Sequence, residues 1–73
     1  MKTSLDLKEI AASGGNLIID AKSYSSLSIK EIAKAGYQTG ATLYVKNASH
    51  LTSLSCKEIA KANPGHVSFD FSE

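Results

Sequence analysis

The stretch Leu27-Ser28-Ile29-Lys30-Glu31-Ile32-Ala33-Lys34-Ala35 decides the fold, because it occurs again as Leu54-Ser55-Cys56-Lys57-Glu58-Ile59-Ala60-Lys61-Ala62 and, in shorter form, as Leu5-Asp6-Leu7-Lys8-Glu9-Ile10-Ala11. Self-similarity of this kind marks a chain built from copies of one supersecondary unit. A Ser/Thr pair precedes each copy: Thr3-Ser4, Ser25-Ser26 and Thr52-Ser53. A breaker follows each copy: Gly14-Gly15, Gly36, and Asn63-Pro64-Gly65. Beyond the breaker comes a β-rich run: Asn16-Leu17-Ile18-Ile19-Asp20, Thr42-Leu43-Tyr44-Val45-Lys46, or His66-Val67-Ser68-Phe69-Asp70-Phe71.

The first half of each unit reads as a short helix. Asp6, Ser28 and Ser55 stand three residues before Glu9, Glu31 and Glu58, which is the capping-box spacing. That register makes Leu5, Leu27 and Leu54 the residues before the cap. It sets them against Ile10, Ile32 and Ile59 as hydrophobic staples. With the glycine and Asn-Pro-Gly stops, it predicts helices over about residues 7–12, 29–35 and 56–62. Helices of two or three turns do not persist alone, so packing must hold them.

The second half alternates. Leu17, Leu43 and Val67 share one register, with Ile19, Val45 and Phe69 two residues further on, so all six face one side of a sheet. Ile18, Tyr44 and Ser68 face the other side, with Asp20, Lys46 and Asp70 beyond them and Asn16, Thr42 and His66 before them. Strands that alternate with helices run parallel and are joined by right-handed crossovers. The expected fold is α/β: three tandem αβ units forming a three-stranded parallel sheet, with three short helices on one face. The whole chain, 1–73, is read as one domain with units at about 3–21, 25–47 and 52–71. The expected core is Leu5, Leu27 and Leu54; Ile10, Ile32 and Ile59; Leu7, Ile29 and Cys56; Ala11, Ala33 and Ala60; and the six inward strand residues.

Stacked short units of this kind resemble leucine-rich-repeat solenoid proteins. The resemblance is carried as a motif by Leu43-Tyr44-Val45-Lys46-Asn47-Ala48-Ser49-His50-Leu51-Thr52-Ser53-Leu54, which is similar to L-x-L-x-x-N-x-L. Asn47 stands one residue early, and its counterparts in the other units are Ala21 and Phe71. The resemblance implies a curved sheet used for protein binding.

Composition narrows the function classes. With 73 residues, eight Lys, no Arg, seven acidic residues and a net charge of +1, the surface is not built to neutralise phosphates. A chain this short buries only roughly 60% of its unfolded surface. One cysteine forms no internal disulfide and fits a reducing, cytoplasmic compartment. The longest apolar run, Leu17-Ile18-Ile19, is far short of a membrane span. Cys56 has apolar counterparts, Leu7 and Ile29, and reads as a small core residue rather than a nucleophile. Two histidines and one cysteine do not make a metal cluster, and the glycines follow helices, the reverse of a phosphate loop. No acid–base–nucleophile set converges, so the chain reads as non-enzymatic, with no cofactor and no small-molecule substrate.

The candidate binding residues are those of the sheet face away from the helices: Ile18 and Tyr44 as apolar anchors, with Asp20, Lys46, His66 and Asp70 around them. In the row Asp20–Lys46–Asp70, Lys46 is placed to bridge two carboxylates. A parallel sheet normally has both faces covered, and free edges invite pairing. The expectation is therefore a protein partner or a homo-oligomer, a dimer, that covers the bare face or joins edges. The alternative is a small regulatory nucleic-acid-associated protein that uses the lysines of the helix face, Lys8, Lys30, Lys34, Lys57 and Lys61.

Overall fold

The computed structural model describes residues 2–72, so Met1 and Glu73, the ends of the expected domain, lie outside it. Six main elements alternate along the chain: α1 (Ser4–Ala12), β1 (Leu17–Asp20), α2 (Ser26–Ala35), β2 (Leu43–Lys46), α3 (Ser53–Ala62) and β3 (Val67–Phe69). A short 3₁₀ turn, Ala48–His50, follows β2. The strands form one parallel sheet in the order β1-β2-β3. Leu17 lies beside Leu43 and Leu43 beside Val67, while Ile19, Val45 and Phe69 form the next inward row. This is the register expected from the alternation of apolar and polar residues.

Each helix begins one turn earlier than the capping-box reading places it. The caps are Thr3, Ser25 and Thr52, all in extended conformation, and their side-chain oxygens accept from the amides of Asp6, Ser28 and Ser55 at 3.1–3.2 Å. Both sets of residues have cap chemistry and lie three apart. The upstream set prevails because it adds a turn of backbone hydrogen bonds to helices that are otherwise too short. Asp6, Ser28 and Ser55 then sit inside the first turn. Leu5, Leu27 and Leu54, one residue earlier, point into solvent and staple nothing. The helix C-termini at Ala12, Ala35 and Ala62 match the glycine and Asn-Pro-Gly stops. Gly65 leaves the last of these turns at φ +80, a conformation that a side chain strains.

The core lies between the helices and one face of the sheet. Leu7, Ala11, Ile29, Ile32, Ala33 and Ile59 from the helices meet Ile19, Leu43 and Val45 from the strands. Leu17, Val67 and Phe69 are half-buried against this cluster. Cys56 is buried, and Ala60 is half-buried. Small residues that the alternation does not mark, Ala21, Ala41 and Ala48, are also buried. So are Asn47 and Asn63. Asn63 sits past the end of α3 and donates Nδ2 to the carbonyl of Ala41 at 3.0 Å, tying the α3–β3 turn to the start of β2. The bond satisfies that carbonyl, while the Asn63 Oδ1 is buried with no hydrogen-bond partner among the described residues, a cost that offsets part of the gain.

Candidate functional site

With all three helices on one side, the opposite face of the sheet is bare. Its residues are set by the period of two along each strand. Ile18 and Tyr44 are register partners in β1 and β2, and they remain 69% and 39% exposed. Tyr44 is in turn level with Ser68 of β3, also exposed. One row further on, Asp20 pairs with Lys46, and Asp70 follows directly after β3. His66, just before β3, is exposed at the opposite end of the strand, and its Nδ1 lies 3.1 Å from the carbonyl oxygen of Pro64. The structure therefore brings Ile18, Asp20, Tyr44, Lys46 and Asp70 into one patch and leaves His66 at its margin.

The charged row is organised differently from the expected lysine bridge. Among the described residues Lys46 has no ion pair within 4 Å. Asp20 is held instead by Asn47, whose Nδ2 donates to Oδ1 at 2.8 Å, and by the Lys22 amide at 2.8 Å. Asn47 reaches that position because it follows β2 directly in the left-handed region, φ 55, which asparagine tolerates better than most residues. Asp70 repeats the same Asx turn two residues from Ser72, accepting from both its amide and its hydroxyl. The Tyr44 hydroxyl donates to the other Asp70 oxygen at 3.3 Å.

These contacts shift the protonation of the site. The Asn47 amide, followed by the Lys22 amide, holds the Asp20 carboxyl below its ordinary value. The Ser72 hydroxyl and amide do the same for Asp70. The positive charge of Lys46 assists both from a distance. The negative charge of Asp70 pushes the Tyr44 phenol up, which keeps it a neutral donor. The patch thus carries two fixed carboxylates, one unpaired ammonium and a tyrosine whose ring edge is oriented by its own hydroxyl bond. Such a surface can form directed hydrogen bonds around a small apolar centre.

Sequence reasoning missed Asn47 and Ser72 as organisers of this row. Ser72 had a signal, since Asp followed two residues later by a polar residue is an Asx-turn pattern. Asn47 had a weaker one: its place directly after a strand suits a left-handed residue. Elsewhere, Cys56 is buried in α3 and burial pushes its thiol up, so it is not an activated nucleophile. Among the described residues, no cluster of His, Cys, Asp and Glu has the makings of a metal site. Likewise, no helix is long and apolar enough to cross a membrane. No family model matches the chain, and no curated protein or solved structure is significantly similar to it.

Proposed function

We propose that the protein is a non-enzymatic interaction module, acting in a reducing compartment such as the cytoplasm, that binds a protein partner through the bare face of its sheet. The observation that carries this reading is the adjacency of Ile18 and Tyr44, exposed on a parallel-sheet face that no element among the described residues covers. Interfaces concentrate binding energy in a few aromatic and large apolar residues ringed by polar groups. Asp20, Lys46 and Asp70 provide such a ring, and their separate hydrogen bonds keep the carboxylates in place before binding. Preorganisation lowers the entropy cost of association.

The test is capture of partners by the immobilised chain, compared with Tyr44→Ala and Lys46→Glu on the sheet face and with Lys34→Glu and Lys61→Glu on the helix face. A partner lost with the sheet-face variants and kept with the helix-face variants supports the proposal. A partner kept by both sheet-face variants overturns it.

A second reading rests on a groove of about 440 Å³ between α2 and α3, lined by Lys34, Lys61 and the Lys30–Glu58 ion pair, with Tyr37 and Pro64. Tyr37 is exposed beside exposed Lys34 and Lys61, and a basic groove with an aromatic suits a single-stranded nucleic acid. Salt separates the two: phosphate binding falls steeply as salt rises, and an apolar sheet-face contact does not.

A further inference from the structure

The three helices lie side by side, and the contact between neighbours uses different residues on each side. At the α2–α3 junction, α2 contributes Ser26, Leu27 and Lys30, while α3 contributes Leu54, Ser55, Glu58 and Ile59. Lys30 Nζ stands 3.5 Å from Glu58 Oε1 across that junction. The corresponding residues at the α1–α2 junction are Lys8 and Glu31, which carry the same charges without an ion pair inside 4 Å. Each unit therefore has a leading side, carrying Asp or Ser, Glu and Ile, and a trailing side, carrying Ser and Lys, while Leu27 and Leu54 both border the α2–α3 junction.

Two of these sides face no neighbouring helix among the described residues. The leading side of α1 forms an open groove lined by Asp6, Glu9 and Ile10, the counterparts of Ser55, Glu58 and Ile59, with Lys2 beside the two carboxylates. Ile10 is 36% exposed, whereas Ile32 and Ile59, which have a preceding helix to pack on, are 1% and 0% exposed. On the trailing side of α3, Ser53 and Lys57 are exposed, and Leu54, also exposed, stands between them and the α2–α3 groove. One terminal surface is thus net acidic around Ile10, and the other is basic.

The sheet edges are complementary in the same sense. The Leu17 amide donates to the Thr42 carbonyl at 3.0 Å, and its counterpart, the Leu43 amide, donates to the His66 carbonyl at 2.8 Å. The next member of that series is the Val67 amide, and the carbonyl that continues it is that of Asn16. Alternation along a parallel ladder turns Val67 and Phe69 of β3, and Ile18 and Asp20 of β1, towards the free edges. Just past β3, Phe71 is 57% exposed and stacks on Phe69, while its counterparts Ala21 and Asn47, in units that have a following neighbour, are buried.

We infer that a second copy of this chain docks head to tail, its α1–β1 end against the α3–β3 end of the first, continuing both the helix row and the sheet. In that arrangement Lys57 meets Glu9 as Lys30 meets Glu58, Ile10 is covered as Ile59 is covered, and Val67 and Phe69 gain a ladder partner. One row opposes the contact: Asp70 comes beside Asp20, and like charges on adjacent strands repel. The association is therefore weak and concentration-dependent. Because the two surfaces differ, the contact is heterologous and propagates into longer rows instead of stopping at two. The inference is independent of the sheet-face reading, since it uses the ends of the sheet and leaves its face free.

Sedimentation velocity over a series of protein concentrations tests it, with Glu9→Lys and Lys57→Glu as probes. Both side chains are exposed, and circular dichroism checks that each variant keeps its fold. The wild-type chain is expected to give a distribution that grows beyond two copies with concentration. Each single variant places like charges at every junction and weakens association roughly three- to tenfold. In an equimolar mixture every junction between unlike copies pairs opposite charges, so alternating rows regain wild-type growth. The inference is overturned by a monomer at all concentrations, by single variants that do not alter association, by a mixture that fails to recover, or by a species that stops at two and responds to Tyr44→Ala instead.

Discussion

Thr52→Ala and Ser55→Ala, made separately, distinguish the two places at which α3 can start. The Thr52 Oγ1 accepts from the Ser55 amide at 3.1 Å, so removing it leaves a helix-end donor to solvent alone. Loss of such a cap costs ~1 kcal/mol, within a range of about 0.5–2. Ser55 lies inside the first turn, where alanine gains up to roughly 0.5 kcal/mol of helix propensity over serine. Against that gain stands only the loss of the contact between the two hydroxyls, 3.1 Å apart. The net effect of Ser55→Ala is therefore within a few tenths of a kcal/mol. For a domain of this size 1 kcal/mol moves the melting temperature by roughly 4–8 °C. Thermal unfolding followed by far-ultraviolet circular dichroism should show a drop of about that size for Thr52→Ala and almost none for Ser55→Ala. The side chains beyond the cap give a second pair. Ile59 is fully buried and Leu54 is exposed. Ile59→Ala should cost about 2–5 kcal/mol, whereas Leu54→Ala, an exposed change, stays within about 0.5. A large loss from Ser55→Ala with none from Thr52→Ala, or comparable losses from Leu54→Ala and Ile59→Ala, would refute the upstream cap.

Three further outcomes follow from the site. Asn47→Gly keeps the left-handed backbone and removes the amide that holds Asp20 down, so carbon-detected carboxyl titration should show the Asp20 pKa returning towards its ordinary value. The sign for stability is that of a depressed carboxylate: its contribution is present above about pH 4 and is lost as pH falls through the lowered folded-state value, and the variant loses less on acidification. Asp70→Asn removes the charge that raises Tyr44, and difference absorbance of phenolate formation should move one tyrosine down towards 10. A raised phenol stabilises the fold below about pH 10 and ceases to as pH rises through its folded value, so the wild type loses more than the variant in strong alkali. Cys56, buried with its thiol pushed up, should react with a thiol reagent far more slowly in native protein than in urea; equal rates would contradict its placement.

The parts of the fold that follow from a local period were legible in the residues. Leu17, Ile19, Leu43, Val45, Val67 and Phe69 alternate with polar or exposed partners, and a period of two admits only one inward register. The exposure of Ile18 and Tyr44 follows from the same rule. Helix ends were legible where only one signal competes, as at Gly36 and Asn63-Pro64-Gly65. Helix starts were not, because Thr3 and Asp6, Ser25 and Ser28, and Thr52 and Ser55 are all competent caps, and the choice depends on packing of the extra turn. The finer wiring of the site was hidden for a different reason. Tyr44 is level with Ser68, yet its long side chain bonds diagonally to Asp70, two residues along. Asp20 is level with Lys46, yet its Oδ1 accepts from the Asn47 side-chain amide and the Lys22 backbone amide, because a short side chain and a backbone group lose less entropy on bonding than a flexible lysine. The burial of Asn47 and Asn63 is tertiary in origin, set by carbonyl and carboxylate acceptors far away in the chain.

The most direct measurement of the central claim, that the bare sheet face is the binding surface, is nuclear magnetic resonance of the labelled chain titrated with the protein it captures. A partner seated on that face shifts Ile18, Tyr44 and Ser68 most, with Asp20, Lys46 and Asp70 around them. Shifts centred on Lys34, Tyr37 and Lys61, with the sheet face unchanged, would contradict it.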